Sequence, residues 1–137
     1  MMGISEKTMI KKKAFHTDNA PSAIGVYSQA VKAGGFMFIS GQIPLEPKSM
    51  KVVSGSFNEQ AKRVLLNLQA IILDAGSSVD NVVKINVYLT NLRNFQNFNL
   101  IMEEFFKKPY PSRAVVEVSR LPKDVDIEID AIVISND

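Results

Sequence analysis

The sequence predicts an α+β fold, a two-layer domain that packs two helices on one face of a mixed β-sheet. Three observations predict it: two stripes of apolar residues at helical spacing, strand-like alternation around them, and turn formers at the boundaries. The predicted order is β-β-(β)-α-β-α-β-β. Because each helix has one apolar side, it needs a sheet against which to bury that side.

The first predicted elements form a β-hairpin. Residues 24–32 alternate and are rich in β-formers, residues 36–40 are a short apolar run, and residues 33–35 supply the turn between them. Gly41 ends the second strand. Residues 44–55 contain two prolines and several turn formers, which predicts a loop with a short edge strand.

The two helices are predicted from their apolar stripes. The stripe of the first helix consists of Phe57, Ala61, Val64, Leu65, Leu68, Ile71 and Ile72. Ser56 and Glu59 match a capping box at its start, and Gly76 is a typical stop signal. The second helix is predicted at residues 94–106, and its apolar side consists of Phe95, Phe98, Met102, Phe105 and Phe106.

Three further strands complete the predicted sheet. Residues 82–89, 114–119 and 126–134 are rich in β-branched residues and alternate. Pro109 and Pro111 lie between the second helix and the second of these strands, where they exclude helix and predict a turn.

The last strand has two different faces. One is apolar and consists of Ile127, Ile129, Ala131 and Val133. The other is charged at one end and apolar at the other, and consists of Glu128, Asp130, Ile132 and Ile134. A sheet face that is neither polar throughout nor covered by helices predicts a partner subunit.

Size and composition predict one globular domain. The chain has 137 residues, of which 46% are hydrophobic, and its net charge is +2. This charge is not clustered as in a nucleic-acid binder, and the absence of cysteine excludes disulfides and thiolate nucleophiles. We expect residues 1–16 to be a tail that leads into the first strand and residues 17–137 to form the domain.

No apolar run in the sequence is long enough to cross a bilayer. We therefore expect a cytoplasmic protein. A mitochondrial location is the alternative, because lysines are frequent near the N-terminus, although the amphipathic arginine pattern of a transit peptide is weak.

Candidate functional residues are few and isolated. The sequence has no phosphate-binding glycine loop, no dinucleotide fingerprint and no zinc-protease motif, and His16 is its only histidine. What remains is Arg113 at the start of a strand, Glu128 within an apolar strand, Tyr27 in the first strand and the pair Ser40-Gly41 at a strand end. By residue type alone, each of these also suits a structural or surface position.

Four segments favour functional roles for these residues, because they closely resemble sequences of the Rid/YjgF family of reactive-intermediate deaminases. They are AIGVYSQA (23–30), FISGQIPL (38–45), NVVKINVYLTNLRNF (81–95) and YPSRAVVEVSRLPKDVDIEIDAI (110–132). The resemblance runs from about Thr17 to the C-terminus, and its last segment is long and ordered.

The resemblance implies a chorismate-mutase-like fold and a homotrimer with clefts between its subunits. It also implies a hydrolase without metal or cofactor, of the 2-iminobutanoate/2-iminopropanoate deaminase type. Such enzymes convert 2-aminoacrylate and related enamine or 2-imino acids to 2-keto acids and ammonia, and so remove reactive intermediates of amino-acid degradation. Partners such as nucleic acid or a membrane are not expected.

The resemblance also implies roles for individual residues. It places the arginine that binds the substrate carboxylate at Arg113 and the glutamate that positions water at Glu128. A planar carboxylate suits the guanidinium fork, which offers it two parallel charge-assisted hydrogen bonds. The cleft tyrosine falls on Tyr27, and the glycine whose backbone faces the substrate falls on Gly41, beside Ser40.

The chain departs from the family pattern at two positions. Val26 stands where proline is usual, and Val115 stands where cysteine is frequent. Because the backbone N–H of Val115 remains, we expect the change to reshape the pocket and its substrate preference rather than to remove activity.

Two other functions stay open at this stage. One is a trimeric ligand-binding or chaperone-like module that has the cleft but no turnover, which a fold alone does not exclude. The other is an RNA-directed activity, as a translation inhibitor or ribonuclease, because some relatives carry those labels. The sequence lacks the basic stripe interleaved with aromatic residues that RNA binding requires.

Overall fold

The structure, a computed structural model, describes residues 11–136. These residues form two α-helices and one six-stranded sheet. The strands are β1 (Lys13–Phe15), β2 (Ala30–Ala33), β3 (Phe36–Gln42), β4 (Val82–Leu89), β5 (Ser112–Glu117) and β6 (Ile127–Ile134). The helices are α1 (Phe57–Asp74) and α2 (Phe95–Phe105). The strand order is β1-β2-β3-β6-β4-β5, and β4 and β5 are the parallel pair in an otherwise antiparallel sheet.

Both helices cover the same face of the sheet, as the sequence predicts. The predicted apolar stripe of α1 is buried together with the alternate residues of β6, namely Ile127, Ile129, Ala131 and Val133. Ser56 caps α1 by accepting a hydrogen bond from the Glu59 N–H (3.4 Å), and Gly76 has the positive φ of a helix stop (+84°).

The opposite face of the sheet, here called the open face, is not covered by any helix of residues 11–136. Its members alternate with the residues of β3, β4, β5 and β6 that face the helices, and include Phe36, Phe38, Tyr88, Val116, Glu128, Asp130, Ile132 and Ile134. Phe38 and Ile134 are each 45% exposed. An apolar patch of this kind on a sheet is typical of a protein interface.

The prediction of a strand at residues 24–32 is wrong over most of its length, because β2 begins only at Ala30. Residues 24–29 form a loop, so Tyr27 does not lie in a strand. The buried carboxamide of Gln29 bonds the backbone N–H and C=O of Thr17 and the C=O of Pro21, which holds the chain away from the sheet ladder. Gly25 turns the loop with a φ of +113°.

The boundaries of the other predicted elements differ from the observed boundaries by a few residues. Residues 44–55 form no strand of the sheet but only an isolated bridge between Leu45 and Val52, and the additional strand is β1. The predicted helix at 94–106 is confirmed to within one residue at each end. β5 begins two residues earlier than predicted, because its parallel pairing with β4 extends to Ser112. Arg113 therefore lies inside the strand.

The segment before β2 is tied to the end of α1. Thr17 Oγ1 and Asn19 Nδ2 both donate hydrogen bonds to Asp74 Oδ2, at 2.5 and 2.7 Å. The bond from Thr17, followed by the bond from Asn19, lowers the pKa of Asp74 from its ordinary value of 3.8. The ionised carboxylate is therefore stabilised more in the folded protein than in the unfolded chain.

We expect Thr17→Val to be less stable than wild type near neutral pH. The difference should be complete above pH 3.8 and should shrink as the pH falls through the lowered pKa of folded Asp74, since the protonated carboxyl loses its advantage. Urea unfolding of both proteins, at about pH 7 and about pH 2.5, measures the two differences. An equal loss of stability at both pH values would contradict a contribution from the Asp74 charge.

Candidate functional site

Four of the predicted site residues line one cavity. This cavity, here called the glutamate cavity, has a volume of about 570 Å³ and lies between residues 21–27, the end of β3, the turn at 122–124 and the start of β6. Its lining includes Tyr27, Ser40, Gly41, Lys123 and Glu128.

Glu128 reaches this cavity because Gly41 has no side chain. Glu128 lies on the open face of β6 and is half-buried. A Cβ atom on Gly41 would overlap the Glu128 carboxylate and would lie 2.8 Å from its Cδ. The pairing of β3 with β6 is also irregular at this point, between Ile39 and Gln42. Gly41 is therefore required by close approach and not by an unusual φ.

The environment of Glu128 makes its carboxyl bind a proton more readily. Burial raises the pKa of Glu128 above its ordinary value, and the neighbouring charge of Asp130 raises this pKa further. A carboxyl group with a raised pKa in a cavity is suited to take up and release protons during a reaction.

The hydroxyl groups of Tyr27 and Ser40 are each available for one further hydrogen bond, to a ligand. The Tyr27 hydroxyl oxygen accepts from the Ile24 N–H (3.1 Å), so its own hydrogen remains available to donate. The Ser40 hydroxyl donates to the Ser28 C=O (2.6 Å), so its oxygen remains available to accept. Tyr27 is 52% exposed.

Arg113 lines a second cavity of about 520 Å³, here called the arginine cavity, between α2 and the segment that leads into β5. Its Nη1 donates to Asn99 Oδ1 (2.6 Å) and contacts Met102 Sδ (3.2 Å), and the guanidinium lies 5.2 Å from the centre of the Phe95 ring. Among residues 11–136, neither Nε nor Nη2 of Arg113 has a hydrogen-bond partner. One side of an oriented guanidinium is therefore available for a carboxylate.

The two cavities lie apart in one chain. Arg113 pairs with Ile85 on β4 and shares its helix-covered face, whereas Glu128 pairs with Tyr88 on the open face. The two positions are separated by about 10 Å across the sheet and about 10 Å along it, from the usual strand spacing and rise per residue. Val115 also lies on the Arg113 side, half-buried near Phe95. A single chain does not bring Arg113 and Glu128 to one small molecule.

The residues that orient Arg113 were not predicted from the sequence. Phe95 and Met102 were predicted only as part of an apolar stripe, and Asn99 was not predicted to have a role. The signal was present, because Asn99 follows Phe95 by four positions and precedes Met102 by three, so it is a polar residue within an otherwise apolar helical face.

Two further properties concern metals and membranes. Within residues 11–136, no three or more histidine, aspartate or glutamate side chains are grouped so that they could hold a metal ion. In the same part of the chain, neither helix combines the length and apolar character that crossing a membrane requires.

Comparison with known proteins gives consistent matches. The family model described as Endoribonuclease L-PSP matches residues 17–135. A RutC family protein of Pyrococcus horikoshii is 50% identical over 121 residues, which cover 88% of this chain and 96% of that protein. A 2-iminobutanoate/2-iminopropanoate deaminase of Dermatophagoides farinae is 36% identical over 92% of this chain and 98% of its own. The crystal structure of RidA from a Psychrobacter species is similar with a TM-score of 0.85 and 43% identity, over 89% of this chain and 98% of that one.

Proposed function

The chain belongs to the Rid/YjgF family, and we propose that it hydrolyses 2-aminoacrylate and related enamine or 2-imino acids to 2-keto acids and ammonia. The observation that carries the proposal is the glutamate cavity, in which the Glu128 carboxyl, with its raised pKa, lies over Gly41 beside Tyr27 and Ser40. The deaminase name of the Dermatophagoides relative supports the same reaction.

The proposed active site forms between copies of the chain. Arg113 of one copy binds the substrate carboxylate, and the glutamate cavity of a neighbouring copy faces the reacting carbon. Two features support this arrangement: the two residues lie too far apart within one chain, and the open face presents Phe36, Phe38 and Ile134 to solvent. A homotrimer that buries its open faces against one another is the assembly we propose.

The proposed chemistry is an addition of water to the imine followed by loss of ammonia, and an enamine substrate first becomes the imine by moving one proton from its nitrogen to its β-carbon. Glu128 takes a proton from water as the oxygen bonds to the imine carbon, and the imine nitrogen receives this proton to give an amino alcohol. The C–N bond then breaks, the hydroxyl proton passes through Glu128 to the nitrogen, and a keto acid and ammonia leave. Ser40 Oγ accepts from the substrate N–H, and the Val115 N–H faces the carboxylate. Because the imine carbon is already electrophilic, the proposal includes no metal or cofactor.

The reaction is tested by generating the enamine in place with a dehydratase that uses pyridoxal phosphate. Keto acid and ammonia are then followed with and without the purified protein. We expect release above the spontaneous rate, and a much smaller gain from a matched amount of Arg113→Ala protein. A wild-type protein that is folded and oligomeric but gives no acceleration would reject the deaminase and favour a ligand-binding module. Incubation with RNA tests the ribonuclease alternative.

Mixing two inactive variants tests the location of the site. We expect Arg113→Ala and Glu128→Ala proteins, unfolded and refolded together in equal amounts, to regain about one quarter of wild-type activity. Each site needs an intact Arg113 from one copy and an intact Glu128 from its neighbour, and about half of the copies carry each intact residue. Each variant refolded alone is the control. Sedimentation checks that the mixture is trimeric, and a monomer at micromolar concentration or an absence of regained activity would contradict a site between copies.

Glu128→Ala separates turnover from binding. We expect turnover to fall by about a hundred-fold or more, the usual contribution of a general acid or base, while the affinity for a keto-acid product analogue changes little. The reason is that Glu128 acts on water and protons and does not contact the substrate carboxylate. Kinetics and calorimetric titration measure the two effects. Equal losses in turnover and affinity would indicate a role in binding or structure.

A further inference from the structure

A hydrogen-bonded cluster lies next to Glu128 on the open face. Asn86 Nδ2 donates to Asp130 Oδ1 (2.9 Å), and the Tyr88 hydroxyl donates to Asp130 Oδ2 (3.0 Å). Asn86 is the direct cross-strand partner of Asp130, and Tyr88 is the direct partner of Glu128. Both oxygens of Asp130 are therefore held by neutral donors, which fix the direction of its carboxylate.

Asp130 and Glu128 are two residues apart on β6, so their side chains stand on the same face of the sheet. Within residues 11–136, neither carboxylate has a cation within salt-bridge distance. The repulsion between the two carboxylates is consequently not offset by an ion pair. It acts in a half-buried setting, where charges interact more strongly than in water.

We propose that Asp130, fixed by Asn86 and Tyr88, is a positioning residue of the proposed active site, whose negative charge acts together with burial to let Glu128 carry a proton. The inference rests on the proposed deaminase function, because it assigns a second source, beside burial, of the proton affinity that the reaction uses. The ordinary carboxyl group of a glutamate stays ionised at neutral pH and returns a proton poorly. A fixed negative charge beside it favours the protonated form in the second half of the reaction.

Other titratable groups around Glu128 are compatible with this assignment. Tyr88 faces it from β4, Tyr27 from the loop before β2, and Lys123 from the turn at 122–124, while β3 contributes no titratable side chain to this part of the cavity. The pKa of Tyr88 is raised by burial, then by its hydrogen bond and charge interaction with Asp130, and then by Glu128. Tyr88 therefore remains a neutral donor to Asp130 at neutral pH.

The test is a direct titration of Glu128 by carbon NMR of protein labelled at the glutamate carboxyl, with the signal identified by its absence in Glu128→Gln. We expect Asp130→Asn to move this titration to lower pH. The carboxamide keeps the size, its oxygen can accept from one of Asn86 and Tyr88, and its NH2 can donate to the oxygen of the other, so the main change is the loss of charge. Asp130→Glu, which retains the charge, should titrate nearer wild type, and Glu104→Gln, an exposed charge removed from α2, should change nothing.

An unchanged titration in Asp130→Asn, or the same displacement in Asp130→Asn and Asp130→Glu, would overturn the inference. Asp130→Ser provides a smaller neutral side chain if Asp130→Asn does not fold. The acidic limb of the kcat/KM profile should move to lower pH together with the titration. Because the NMR measurement needs no turnover, a wild-type protein without deaminase activity rejects the proposed function separately.

Discussion

Arg113→Ala is expected to lose most deaminase activity while the protein stays folded and oligomeric. Removal of one partner of a desolvated charge pair typically costs about 2–5 kcal/mol, which corresponds to a loss of about thirty-fold to several thousand-fold in kcat/KM. The side chain is exposed, and its hydrogen bonds go to Asn99 and Met102, both on α2, so its truncation removes little of the core.

Two comparisons sharpen this prediction. Arg113→Lys should be intermediate, because it keeps the charge and loses the planar fork, whereas Lys107→Ala removes an exposed cation just after α2 and should behave as wild type. A substrate analogue without a carboxylate should bind wild type poorly, and its affinity should not change in Arg113→Ala. Activity close to wild type in a folded Arg113→Ala protein would remove Arg113 from the mechanism.

Gly41→Ala is expected to reduce turnover by about a hundred-fold, the usual result of moving a catalytic group by about 1 Å. The added Cβ would occupy the space that the Glu128 carboxylate fills. The carboxylate would therefore have to move, either further into the cavity or away from the reacting carbon. Steady-state kinetics measure the loss, and circular dichroism and sedimentation check that the variant remains folded and assembled.

A double-mutant cycle identifies the cause. If Gly41→Ala acts by displacing the Glu128 carboxylate, it should have almost no further effect in a Glu128→Ala background, where no carboxylate remains to be displaced. Independent, multiplicative losses in the double variant would instead indicate that Gly41 contributes through its own backbone, as the family resemblance also allows.

The two-layer architecture and the face on which each side chain of β6 lies could be predicted from the pattern of residues. The reason is that helical stripes and strand alternation are local properties, which burial in a single core then preserves. Glu128 was identifiable for the same reason, since a charged residue in an otherwise apolar strand is visible without knowledge of its neighbours. The capping of α1 by Ser56 depends only on residues within four positions and was equally predictable.

The positions of the functional side chains relative to one another depend on contacts between distant parts of the chain. The loop that carries Tyr27 depends on bonds from Gln29 to Thr17, twelve positions away, which outweigh a local sequence that favours a strand. The placement of Arg113 and Glu128 on opposite faces follows from the register of β5 and β6 on β4. Register is set by long-range pairing, and a shift of one residue would move every side chain of the strand to the other face. Both residues can therefore be identified from the sequence. Their separation within one chain is a property of the folded sheet, and this separation is the reason that the proposed site requires a second copy.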